Sequence, residues 1–190
     1  MFHGWDNFFL VAGPSAGSLI GLLFVVVTLT AGRDRESTLR GAALYLTPTV
    51  FHFGVVMAIS AAVMAPELSP NLTACIVGAI SLYGVGYTTL IARRLWKADG
   101  AVKPHWSDIW TYGFTPPIAY LLLLGAAALE YPYPKAAPYA VAVMLMALLF
   151  MGIRNAWDLV TWMAPMVGQP LPNNSLANAS RDKPGDAGRG

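Results

Sequence analysis

Charge is what this chain of 190 residues has least of: Asp, Glu, Lys and Arg make up 12% of it, while 56% is hydrophobic. A soluble domain carries charge on about a quarter of its residues, so composition selects a polytopic membrane protein. Cysteine is nearly absent as well. Cys75 stands alone, which excludes an intramolecular disulfide and a cysteine metal cluster, and nothing else in the sequence implies a metal or a cofactor. A basic patch is also missing. The net charge is +2 and the basic residues are divided among loops, so nucleic acid is not an expected partner. The first nine residues have Asp6 where a secretory signal has Lys or Arg, and the first apolar run is therefore expected to be retained.

What the sequence does have is long uncharged stretches. The first, from Asn7 to Thr30, contains no ionisable residue and as a helix is roughly 35 Å long, enough for a hydrocarbon core of about 30 Å. Four more follow, giving five predicted spans at about 7–30, 44–64, 72–91, 115–129 and 136–163. The fourth is short and begins with Pro116 and Pro117, which a first helical turn tolerates because its amide hydrogens have no partner there. The expected fold is an all-α polytopic membrane helix bundle over residues 1–166. Residues 167–190, rich in Pro, Asn, Gly, Ser and Asp, are expected to form a disordered cytoplasmic tail.

Basic residues give an orientation. Arg33, Arg35 and Arg40 lie between spans one and two, Arg93, Arg94, Lys97 and Lys103 between three and four, and Arg154, Arg181, Lys183 and Arg189 at or beyond the end of span five. Only Lys135 falls on the other side. The positive-inside rule then predicts an N-terminus outside and a C-terminus in the cytoplasm. Trp96, Trp106, Trp110, Trp157 and Trp162 fall at the expected inner interface, and Trp5, Tyr131, Tyr133 and Tyr139 at the outer one, where rings are half apolar and half wet. Residues 103–113 are expected to form an interfacial helix capped by Ser107. The acids Asp6, Glu67 and Glu130 fall at the outer rim, where they either attract cations to a mouth or are ordinary solvated loop charges.

Gly13, Gly17 and Gly21 recur every four residues along span one. They form a narrow strip for close helix packing, either between spans of one chain or between copies of it. Small residues of span three, Gly78, Ser81, Gly84 and Gly86, are expected to serve the same purpose. His52 is the one ionisable residue near the middle of a span, and such residues are costly enough to be functional candidates. Tyr45, Thr49, His52 and Ser60 fall within about 80° on its helix, a polar stripe expected to face the bundle interior.

Counting about 1.5 Å per residue from the outer ends puts Ser18, His52 and Tyr83 at roughly 18 Å depth, with Ser81 and Tyr120 at roughly 15 Å. The candidate solute or proton site is therefore His52, Ser18, Thr49, Tyr83 and Tyr120, with a histidine whose ordinary pKa of about 6.5 switches easily. The plainer alternative is a neutral histidine bonded across helices, contributing on the order of 0.6 kcal/mol. A haem site would need a second axial ligand, and with His3 and His105 expected at opposite membrane surfaces a second histidine could come only from another copy across a symmetric oligomer interface. Ser15 in Gly13-Pro14-Ser15-Ala16-Gly17 has the look of an intramembrane nucleophile with His52 as base, but no orienting third residue accompanies them.

The last span ends in Gly152-Ile153-Arg154-Asn155-Ala156-Trp157-Asp158. Arg154 and Asp158, four apart, can pair on one face with Trp157 as an interface anchor. Together with Trp5-Asp6-Asn7-Phe8-Phe9 at the start, this ending resembles a group of small, uncharacterised bacterial inner-membrane proteins. The resemblance implies a bacterial inner (cytoplasmic) membrane setting and brings no activity and no functional residue with it. The expected function is that of a non-catalytic integral membrane protein, self-associating as a homo-oligomer or acting as an accessory subunit on other membrane proteins. A channel or small-solute or proton transporter working through His52 is the alternative, and an intramembrane serine hydrolase the third.

Overall fold

In hydrocarbon no water is present to bond an open backbone, so an apolar run must pair its own N–H and C=O groups, and a helix does this within one segment. The computed structural model, which describes residue 2 and residues 4–30, 46–96 and 113–167, has that form. Five helices follow one another: α1 Asp6–Thr30, α2 Thr47–Met64, α3 Pro70–Trp96, α4 Thr115–Ala128 and α5 Ala137–Val167. There is no strand among the described residues. Four of the helices, α1, α2, α3 and α5, are long and apolar enough to cross a membrane. The fourth in order, α4, is apolar but has 14 residues, about 21 Å of helix, so length and composition support four of the five expected crossings. The expected interfacial helix with Ser107 lies outside the described residues apart from Gly113. So do Tyr45, His3, His105, Trp106, Trp110, the tail and most of the basic residues that set the orientation.

Local chemistry explains where the helices begin. Proline occupies the first turn of α2 and of α4, where its missing N–H costs nothing. Ser69 precedes α3; its Oγ accepts from the Leu72 N–H at 3.3 Å and its carbonyl accepts from the Thr73 hydroxyl at 3.1 Å, an N-terminal cap. Pro14 lies within α1, which continues through it.

The chain packs α1 on α2 and α3 on α4, and α5 closes the bundle against α4, α2 and α1. Phe53, Ile59, Tyr120, Leu123, Leu145 and Leu148 are fully enclosed at its centre. At one end, Trp5 meets Tyr139 edge to face with ring centroids 4.8 Å apart, and Phe2, Phe8 and Phe9 extend the group. The turn that presents them is closed by the Trp5 N–H donating to the Phe2 carbonyl at 2.9 Å, with Gly4 at φ 86°, a conformation open to glycine. Trp5 of the Trp5-Asp6-Asn7-Phe8-Phe9 segment thus joins the start of α1 to the start of α5.

Two glycines let rings reach a backbone. A Cβ at Gly84 would fall among the ring atoms of Tyr120, and one at Gly152 among those of Phe53. On the α1 strip, a Cβ at Gly13 would lie 2.9 Å from the Ser60 Cβ and one at Gly17 3.7 Å from the Met57 Sδ, while nothing lies within 4 Å of one at Gly21. Gly13 and Gly17 therefore pack within the chain against α2, and Gly21 is exposed. Gly152→Ala and Gly84→Ala should each destabilise the bundle by about 1–3 kcal/mol, the usual cost of overpacking, whereas Gly21→Ala should be neutral or slightly stabilising. Denaturation of the three variants in detergent, followed by circular dichroism, measures the contrast.

Candidate functional site

The site begins with the polar stripe of α2. Thr49, His52 and Ser60 are all buried in the bundle, as the 3.6-residue period requires of one helical face. His52 turns toward α4, where its Nδ1 lies 3.0 Å from the Tyr120 hydroxyl. Both side chains are fully enclosed. Tyr120 holds this position because its ring packs against the bare backbone at Gly84. The helices α2, α3 and α4 thus meet through one imidazole, one phenol and one glycine.

An aromatic wall stands beside the pair. The Phe51 ring lies 4.3 Å from that of Tyr87, 5.8 Å from Tyr83 and 5.7 Å from Tyr120, centroid to centroid. Such tilted contacts are worth about 0.5–1.5 kcal/mol beyond their buried area. Buried hydroxyls on α3 are satisfied within their own helix: Ser81 donates to the Val77 carbonyl and Thr88 to that of Gly84, each at 2.7 Å. Ser81 therefore needs no partner from another helix.

Of the five residues expected in one layer, His52, Thr49 and Tyr120 are buried in the interior, whereas Ser18 and Tyr83 are exposed on the outside of the bundle, Tyr83 at 66%. That is a correction. Counting rise per residue does not fix the direction of a side chain around its helix or how neighbouring helices are set: Tyr83 touches the Phe51 ring from the rim of the bundle, and Gly17 opposite Met57 puts Ser18 about 6 Å along the axis from His52. The Ser15 arrangement fares similarly. Gly13 sits opposite Ser60 and Gly17 opposite Met57, which puts Ser15 about 10 Å along the axis from His52; the nucleophile and base of a hydrolase are not brought together.

At the other end of α5, Arg154, Trp157 and Asp158 are exposed, Trp157 at 68%, as interface anchors would be. Asp6 and Glu67 are exposed but Glu130 is buried, so the three acids do not form one open rim. Among the described residues no group of three or more His, Cys, Asp or Glu is placed to hold a metal ion.

Sequence reasoning missed Asn155. It is fully buried, and among the described residues neither its amide nitrogen nor its carbonyl oxygen has a hydrogen-bond partner; the His52 Nε2 and the Ser60 Oγ are also without one there. The signal was available in the α5 period: Asn155 follows Leu145, Leu148 and Gly152 along the buried face at helical spacing.

The class defined by these features is a membrane-embedded helical bundle with a histidine–tyrosine pair sealed inside it. Comparison with protein-family models, with curated proteins and with solved structures finds no match to the chain.

If the His52–Tyr120 bond is as enclosed as its burial indicates, Tyr120→Phe should lower stability by about 1–2 kcal/mol by stranding the imidazole nitrogen. Gly84→Ala in the same background should then cost no more than it does alone, since its effect runs through the Tyr120 ring contact and not through the hydroxyl. A double-mutant comparison by chemical denaturation reads both values.

Proposed function

We propose that the chain is a five-span protein of the bacterial inner membrane, N-terminus outside and C-terminus in the cytoplasm, that works without catalysis by associating with copies of itself or with other membrane proteins. The observation supporting this reading is the outward face of α3. Cys75, Ala79, Tyr83 and Gly86 are all exposed there and share an arc of about 80°. Tyr83 is near the middle of the helix, at hydrocarbon depth, and its hydroxyl makes no hydrogen bond among the described residues. A phenol among acyl chains forgoes a bond that a second protein surface can supply. The small residues beside it allow another backbone to come close, and nothing in the chain lies within 4 Å of a Cβ at Gly86.

In this reading α4 crosses the bilayer despite its length, in a locally thinned or tilted setting whose cost is a fraction of a kcal/mol per Å. A second reading, passage of a small solute or proton through the interior, draws on the one described imidazole that the bundle encloses, His52, a titratable group of the kind that marks proton and ion paths. Flux of protons into liposomes that carry the protein, lost in His52→Ala, would favour it over the first.

The lone cysteine makes the association reading directly testable. Bismaleimide treatment of native membranes should give a covalent dimer through Cys75, Cys75→Ser should abolish it, and Gly86→Leu should reduce its yield several-fold. Absence of a dimer at physiological expression would refute self-association through α3. In a Cys75→Ser background, a cysteine placed near the N-terminus should react with an impermeant maleimide from outside the cell and one in the tail should not; equal labelling of both would overturn the orientation.

A further inference from the structure

The orphaned polar atoms of His52 and Asn155 converge. Ser60 at the end of α2 faces Gly13 early in α1, and Tyr139 at the start of α5 meets Trp5, so α2 and α5 run antiparallel. Phe53 seated at Gly152 fixes their register. Asn155 is then about 4.5 Å from that contact toward the far end from Trp5, and His52 and Thr49 are about 1.5 and 6 Å from it in the same direction. Helical side chains lean toward their own N-termini, so those of His52 and Asn155 lean toward one another's level.

Direction around the helices agrees. On α5, Gly152 faces α2 and Tyr139 faces α1. Asn155 is about 60° from Gly152 and about 160° from Tyr139 at 100° per residue, on the side away from α1 and therefore toward α4. On α2, His52 faces α4 and is about 100° from Phe53, which faces α5, with Thr49 between the two. The imidazole and the amide thus border the same junction of α2, α4 and α5.

The bond to Tyr120 decides what the free nitrogen offers. Among the described residues the Tyr120 hydroxyl bonds the His52 Nδ1 alone; the direction that uses the phenol's hydrogen has the hydroxyl donating to Nδ1, since the opposite one would strand that hydrogen. Nε2 then carries the imidazole hydrogen and is a donor. Asn155 brings an acceptor and two further donors. Because neither the His52 Nε2 nor either amide atom of Asn155 has a partner among the described residues, the two groups are beyond direct reach of each other, yet buried polar groups in a bundle core cost several kcal/mol if left unmet in apolar surroundings.

We infer that a buried water binds between the His52 Nε2 and the Asn155 amide, completing a hydrogen-bonded chain from Tyr120 through His52 and the water to Asn155 that ties α4, α2 and α5 together. The water accepts from Nε2–H and from the Asn155 Nδ2 and donates to its Oδ1 or to a neighbouring acceptor. Two donors and an acceptor on fully enclosed side chains match what a single water needs, two to four polar partners.

Two measurements test this. The first uses the full chain in lipid bilayers, His3→Gln and His105→Gln, labelled with 15N-histidine so that His52 alone reports. Water-edited magic-angle NMR should transfer magnetisation from water protons to the His52 Nε2–H, and Asn155→Leu should remove that transfer while leaving the Nδ1 shift of the tyrosine-bonded ring. The second is thermal unfolding. Asn155→Leu should lower Tm by a few degrees, because the water and the imidazole lose a partner, and should have no such effect when His52 is already Phe. An orphan amide in a dry core would behave oppositely, with Asn155→Leu raising Tm. Either that rise, or a His52 Nε2–H that receives no magnetisation from water in the parent chain, overturns the inference.

Discussion

The seating of the Tyr120 ring on the backbone at Gly84 governs the interior of this bundle. It brings α3 and α4 together and aims the phenol at His52 on α2. The Phe53 ring on Gly152 repeats the device on the opposite flank of α2, joining it to α5. Lipid chains are as apolar as leucine, so helices in a membrane gain little from burying apolar surface against each other; close packing and cross-helix hydrogen bonds must do more. On α2 the two come side by side, the hydrogen bond at His52 and the close packing at Phe53.

The same helix therefore determines which polar groups are tolerated. His52 is admitted because a phenol meets it, and Thr49 and Ser60 share its face. On α3 the buried hydroxyls of Ser81 and Thr88 return to their own helix, which leaves that helix free to present a different surface outward. Polar groups thus divide into those that bind α2 to its neighbours and those, such as Tyr83, that the chain itself leaves uncovered.

Much of this was legible before any coordinates. Runs of uncharged residues marked the helices to within a few positions, because the lipid constraint acts on composition; the largest differences fall at the C-terminal ends of α3 and α5, which run on to Trp96 and Val167 beyond their most apolar stretches. The inward face of α2 followed from its period. Ser18 and Tyr83 do not join the layer because residue counting gives only a rise along each helix's own axis, while which side is covered, and how far one helix is shifted against the next, depend on the neighbours it acquires. Asn155 was hidden for a different reason: Arg154, Trp157 and Asp158 around it read as an interface motif, and a single buried amide within exposed neighbours has no compositional signature. The clefts at Gly84 and Gly152 were equally invisible, since a glycine in a membrane helix does not announce which ring will occupy it.

The aromatic group at the Trp5 end has a consequence for assembly. Trp5 and Tyr139 are among the most widely separated contacting residues in the sequence, and their rings meet edge to face. During synthesis α1 can settle on α2 as soon as both have emerged, but the Trp5 ring at its start gains its Tyr139 partner only once α5 has followed. The first segment translated is thus secured by the last helix inserted, and the bundle behaves like a hoop whose clasp is fastened at the end of biogenesis.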